Sequence, residues 1–169
     1  MSFLKRLITP KTPPLTTLWN RIAATAREEH WYLRHAVPDT IDGRFDMVTL
    51  VMALVLLRLE REGRAQENIW LTERFVDDMD GSLREIGISD QVMGKHVGNM
   101  VGALGGRLGA YRDALAAEDV SPALAAALER NVYRGDDKYL SAPDLAEAAL
   151  VLNARIETAP IDRLLAGEF

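Results

Sequence analysis

The apolar residues of this chain recur three or four positions apart, the period of helices. Nowhere do they sustain the alternation of strands bounded by hairpin turns. Leu18, Trp19, Ile22, Ala23, Ala26 and Trp31 lay a broad stripe over Leu15–Tyr32, directly after Pro14, with Arg27, Glu28 and Glu29 elsewhere. Val37–Asp42 holds a proline, two aspartates and a threonine ahead of Gly43, which is loop chemistry. Arg44–Glu62 is apolar nearly all round its middle, from Met47 to Leu59, which predicts a central helix touched on several sides. Its valines 48, 51 and 55 also suit a strand. Gly63 fits the residue past the helix end. A further amphipathic helix is predicted over Glu67–Asp80, with Gly81 as its stop and a short capped turn at Ser82–Glu85.

Gln91–Ala117 carries two superimposed patterns. Val97, Val101, Leu104, Leu108, Tyr111 and Leu115 trace one helical face. Gly94, Gly98, Gly102 and Gly106 stand four apart and are continued by Ala110. Each interior glycine costs about 1 kcal/mol relative to alanine. That cost predicts a compensating seam, with Met47–Leu59 as the helix packed into it. Beyond it, Ser121–Pro122 predicts a capped helix over Pro122–Asn131. Gly135–Asp137 reads as a turn, Ser141 and Asp144 as a capping box opening Pro143–Glu157, and Ile161–Leu165 as a tail helix. The expected class is all-α: a single compact multi-helix domain over residues 15–169, built around helices at about 44–62 and 91–117. Residues 1–14 form a separate tip, with Phe3, Leu4, Leu7 and Ile8 beside Lys5 and Arg6, stopped by Pro10, Pro13 and Pro14. It reads as a flexible or membrane-touching segment.

Composition narrows the function. At 169 residues the chain is long enough to bury a core without a covalent staple. It contains no cysteine, which excludes disulfides, thiolate metal sites and cysteine nucleophiles. The net charge of −5 argues against nucleic acid as the primary partner. Residues 1–44 are nevertheless basic, at +3, on a body of −8. That asymmetry is compatible with a peripheral contact with an anionic membrane surface. The longest charge-free run in the middle of the chain, Met47–Leu57, is far short of a membrane span.

Candidate chemistry is sparse. His30 and His35 stand five apart, outside the spacing of a helical zinc motif, and His96 is isolated. Asp77, Asp78 and Asp80 precede Gly81, yet a calcium loop opening at Asp78 would need glycine where Leu83 stands. No nucleophile elbow or phosphate loop occurs. The expectation is a protein without cofactor or metal that is not an enzyme. An enzyme of unrecognised type, pairing His30 or His35 with Asp39 or Asp42, is the alternative from another class, and a general helical scaffold or adaptor is a third. The mixed aromatic and charged run from His30 to Arg44 suits either a helix-positioning loop or a wall of a protein-binding surface.

That run, HWYLRHAVPDTIDGRFDMVTL, resembles the signature of the ubiquinol–cytochrome c chaperone family. Phe75–Asp80 with Ser82–Gly87 is similar to the family's next block, followed by Gly94-Lys95, Met100, Gly106-Arg107 and Ala110-Tyr111. Leu104 and Gly105 stand where family members often carry an aromatic pair. The resemblance spans about residues 17–115. It implies a helical, non-catalytic assembly factor for cytochrome b of the cytochrome bc1 complex, or for a related respiratory membrane subunit. It also implies a membrane-protein client and a small partner protein. Residues 1–14 are too short for a mitochondrial transit leader, so a bacterial member is expected, in the cytoplasm or peripheral on the inner membrane's cytoplasmic face. The expected client surface comprises His30, Tyr32, Arg34, His35, Asp39, Asp42 and Arg44, flanked by Arg84, Lys95 and Arg107. Trp31 and Phe45 are expected in the core, and Arg44 as an internal clamp on Asp39 or Asp80.

Overall fold

A computed structural model describes residues 15–85, 87, 89–135 and 141–169. The expectations for residues 1–14 lie outside them. The elements are α1 (Thr16–Ala26), α2 (Glu29–Leu33), α3 (Ile41–Arg61), α4 (Ala65–Glu85), α5 (Asp90–Leu115), α6 (Val120–Leu128), a π-helical turn (Glu129–Tyr133), α7 (Ala142–Thr158) and α8 (Ile161–Leu165). Among the described residues there is no strand, so the strand reading of Met47–Leu57 falls.

The all-apolar helix is central, as its composition demands. Fourteen α3 residues are buried, and α1, α4, α5, α7 and the π turn all pack on it. Trp19 and Phe75 meet edge to face, 6.1 Å apart, where α1 and α4 approach. Trp31 is buried as expected, whereas Phe45 is only partly covered.

Several boundaries differ from the periodic reading. The first stripe breaks at Arg27–Glu28 into α1 and α2. The loop ends earlier than expected: the Thr40 hydroxyl accepts the Gly43 amide at 3.1 Å, so Asp42 and Gly43 belong to the first turn of α3. α4 runs through Gly81 to Glu85, replacing the expected stop and capped turn. Its packing face, Leu71, Phe75, Met79 and Leu83, continues past the glycine, and burial of Leu83 offsets the weak propensity there. Ser121 lies inside α6 and donates to Glu147 rather than capping. Ser141 makes no side-chain cap either. Of the predicted Gly135–Asp137 turn, only Gly135 is described; its φ is +67°.

The glycine seam is the main correction. α5 packs on α3, as expected, but through Leu104, Tyr111 and Ala114. Gly94, Gly98, Gly102 and Gly106 are exposed, and a Cβ added at any of them meets nothing within 4 Å. Only Ala110, partly buried against the core, lies near the packed side. The physical reason is area. The Leu104–Tyr111 side offers large apolar surface to remove from water, and a glycine stripe offers almost none. With nothing packed on that face, an added methyl group meets no steric cost. Gly98→Ala and Gly102→Ala should each raise stability by about 1 kcal/mol, through propensity and a less flexible unfolded chain. Urea denaturation of the single and double variants checks this. Unchanged or lower midpoints would show that the face is covered.

Candidate functional site

The corner joining α2 to α3 holds most of the expected site, and local chemistry explains its shape. α1 ends with unsatisfied carbonyls, as every helix does. The indole of buried Trp31 donates to Thr25 O at 2.7 Å, and the Tyr32 hydroxyl donates to Ala26 O at 2.8 Å. Two neighbouring aromatics thus bind the short α2 to the end of α1. Burial pushes the Tyr32 phenol above its usual range. The chain then turns through Ala36 in the left-handed region, φ 51°, and Tyr133 donates its hydroxyl to His35 O. Gly43 sits against Pro38, where a Cβ would collide with the proline carbonyl oxygen.

Behind the corner lies a buried ionic tie. Asp46 is fully buried, and its carboxylate accepts from Arg107 of α5 at 2.5 Å and from Arg134 beyond the π turn at 3.1 Å. Arg107 also reaches Asn131 O at 3.3 Å and lies over the Phe45 ring, 5.5 Å from its centroid. Burial pushes the Asp46 carboxyl up, against the pull of Arg107 and Arg134. Arg107 was expected as an exposed flank. Its side chain is only 13% exposed and is committed to this tie, so it is corrected to a structural residue.

The remaining expected residues divide clearly. Asp39 and Arg44 pair at 2.7 Å on the surface, and this hydrogen bond holds the Asp39 carboxyl below its usual range. The clamp on Asp39 therefore exists, but it is exposed rather than internal. Asp42 lies 3.6 Å from Arg134. Arg34 is exposed, Lys95 is exposed on α5, and Arg84 pairs with Asp80 on its own helix at 2.8 Å. His30 lies 3.4 Å from Glu28 and stacks near Trp31. Neither histidine is joined to Asp39 or Asp42 among the described residues, because those carboxylates face Arg44 and Arg134. Nor do the described residues hold a group of three or more side chains fit to bind a metal.

His35 gives the corner a pH dependence. Its Nδ1 is buried without a hydrogen-bond partner, and burial, aided by His30, holds its pKa below 6.5. The unfolded chain then binds the proton more readily than the folded one. The neutral imidazole's contribution is complete above pH 6.5 and is lost as pH falls through the lower folded value. Relative to wild type, His35→Gln should flatten stability against pH in the window between that lower value and 6.5. A parallel pair of curves would show that His35 is not the group responsible.

Two corner residues escaped the sequence reading. Leu33 is 79% exposed and Ile41 71%, the two most exposed large apolar side chains described. Leu33 joins Arg27, Glu29, Tyr32, Asp39 and Arg44 around a shallow depression of about 370 Å³. Ile41 lies one helical turn from Arg44, on the same face of α3. The sequence signal was present but slight: apolar residues beside the buried Trp31 and beside the Thr40 cap. The corner therefore offers an apolar and charged surface on a rigid frame, suited to binding rather than to bond-making.

The comparisons agree with that chemistry. A crystal structure of the Cbp3 homolog from Brucella abortus is similar, with a TM-score of 0.79 and 34% identity, covering 92% of this chain and 86% of that one. No curated protein matches. The family model for ubiquinol-cytochrome C chaperone matches residues 33–169. On that span, the chain belongs to the ubiquinol-cytochrome C chaperone family.

Proposed function

We infer that this protein is a non-catalytic assembly chaperone for cytochrome b of the cytochrome bc1 complex. The observation that carries the reading is the family match over residues 33–169. The similar fold of the Brucella abortus Cbp3 homolog supports it. The client is a membrane protein, held before its cofactors and partner subunits arrive and then released, with no covalent step. Among the described residues no helix is long and apolar enough to cross a membrane. We place the protein in the bacterial cytoplasm, meeting its client at the membrane's inner face, with a small partner protein as a further component.

The client surface we propose is the exposed crown of the corner: Leu33, Arg34, Asp39, Ile41, Asp42 and Arg44. Trp31, Tyr32, Gly43, Asp46 and Arg107 hold it in place. The test is recovery of cytochrome b or a bc1 precursor from gently solubilised membranes. Wild type should recover it. At least one of the folded variants Leu33→Glu, Arg34→Glu and Arg44→Glu should be depleted, while Lys95→Glu tests α5. If wild type recovers no respiratory subunit and deletion of the gene leaves bc1 levels normal, the general scaffold reading replaces this one.

A further inference from the structure

A second surface lies over the C-terminal half of α3, at the other end of that helix from the corner. Two depressions of about 330 and 430 Å³ meet there. Leu56, Ile69 and Leu108 line the first; Leu57, Leu115 and Leu150 line the second. Leu108, Arg112 and Leu115 fall on successive turns of one α5 face, so the wall is continuous. Glu60 lines both depressions and accepts two hydrogen bonds, at 2.8 and 2.9 Å, from Arg112 of the second. Both side chains are over 40% exposed, and an exposed bridge of this kind is weak enough for a ligand to displace.

The rim is acidic. Glu60, Glu73 and Glu157 line the trough, and Glu118 and Asp119 occupy the turn between lining residues Ala116 and Val120. Against these five carboxylates stand three arginines, Arg58 and Arg61 paired with Glu157 and Arg112 paired with Glu60, which leaves the rim an excess of two negative charges. Glu73, Glu118 and Asp119 carry no ion pair among the described residues. Ile69, 53% exposed, stands beside Glu73 at the trough's edge. An apolar floor under a negative rim repels anionic lipid headgroups and complements a basic, partly apolar polypeptide.

We propose that this trough takes a partner segment in which an apolar run is followed by lysines and arginines. That is the chemistry of the cytoplasmic end of a membrane-spanning helix, where positive residues accumulate. The proposal rests on the reading of the client as a membrane protein. It gives that client a second contact, with the apolar run on Ile69, Leu108 and Leu115 and the cations against Glu60, Glu73 and the α5–α6 turn.

The probe is a fluorescent synthetic peptide with an apolar run ending in Lys-Arg-Lys, compared with the same run ending in Glu-Asp-Glu. Anisotropy should show saturable binding of the basic peptide, about tenfold or more tighter than the acidic one and weakened by salt. Glu73→Lys and Ile69→Lys alter exposed positions and should keep wild-type helicity. Each should weaken binding by about tenfold, while Leu33→Glu leaves it unchanged. A photo-cross-linking residue in place of Ile69 should label the peptide, and one in place of Leu33 should not. Equal affinity for the two peptides, loss through Leu33→Glu, or binding to anionic vesicles but not to the peptide overturns the assignment. If the assignment fails while wild type still captures cytochrome b from solubilised membranes, the chaperone reading stands. If the peptide binds the trough but no respiratory subunit is captured, that reading falls and the trough's chemistry remains.

Discussion

Replacing Asp46 by alanine should lower stability by about 3–5 kcal/mol, because it leaves the Arg107 guanidinium buried without its counter-charge. The carboxylate is the point where α3, α5 and the chain beyond the π turn are joined. Its loss also unties Arg134, which is half exposed and adds less. Much of the loss is the desolvation of the surviving partner, so the pair should respond differently from its parts. Asp46→Leu combined with Arg107→Met, two apolar side chains filling the same space, should recover a large share of the stability. Urea denaturation with a double-mutant cycle measures this directly. A loss under about 1 kcal/mol for Asp46→Ala would mean that water reaches Arg107 and that the tie is not structural.

Gly43→Ala should be nearly as damaging, about 2–3 kcal/mol or more, and for a steric reason. The added methyl group meets the Pro38 carbonyl, which is backbone and cannot rotate aside. The start of α3 must then move away from the turn, straining the bond from the Gly43 amide to Thr40. The same shift displaces Asp39, Ile41 and Arg44, so client capture should fall together with the thermal midpoint. Thr40→Ala provides the comparison, since losing the cap alone costs about 1 kcal/mol and leaves Gly43 room. If Gly43→Ala is no worse than Thr40→Ala, the Pro38 contact relaxes easily and the corner is less rigid than drawn.

Both predictions rest on residues that the linear pattern left ambiguous. Asp46 follows a loop-like run and precedes an apolar one, and nothing adjacent marks it for burial. Its partners lie 61 and 88 positions away. Arg107 looked like a surface cation for the same reason. Gly43 read as loop punctuation because Asp39, Thr40 and Asp42 share the chemistry of turns and of helix caps. Only the Thr40 bond shows which applies.

The periodic apolar residues were enough to establish an all-helical chain with α3 at its centre. A side chain's hydrophobicity and its spacing of three or four are local properties that survive in one dimension. The motif blocks between about residues 17 and 115 likewise pointed to the family, because residue identity is legible along the chain, whereas the cap at Thr40 and the tight approach of Gly43 to Pro38 show only in the fold. The tertiary structure alone decided which helix faces are covered. Glycine spacing on α5 suggested a seam, but burial follows apolar area, and the neighbouring Leu104–Tyr111 face holds that area. It also decided which charges are internal. A buried ion pair is a contact between distant segments, and its energy depends on desolvation by the fold around it. Asp46 with Arg107 became a tie, Asp39 with Arg44 stayed in water, and Leu33 and Ile41 are left uncovered by the described residues at that corner of α2 and α3.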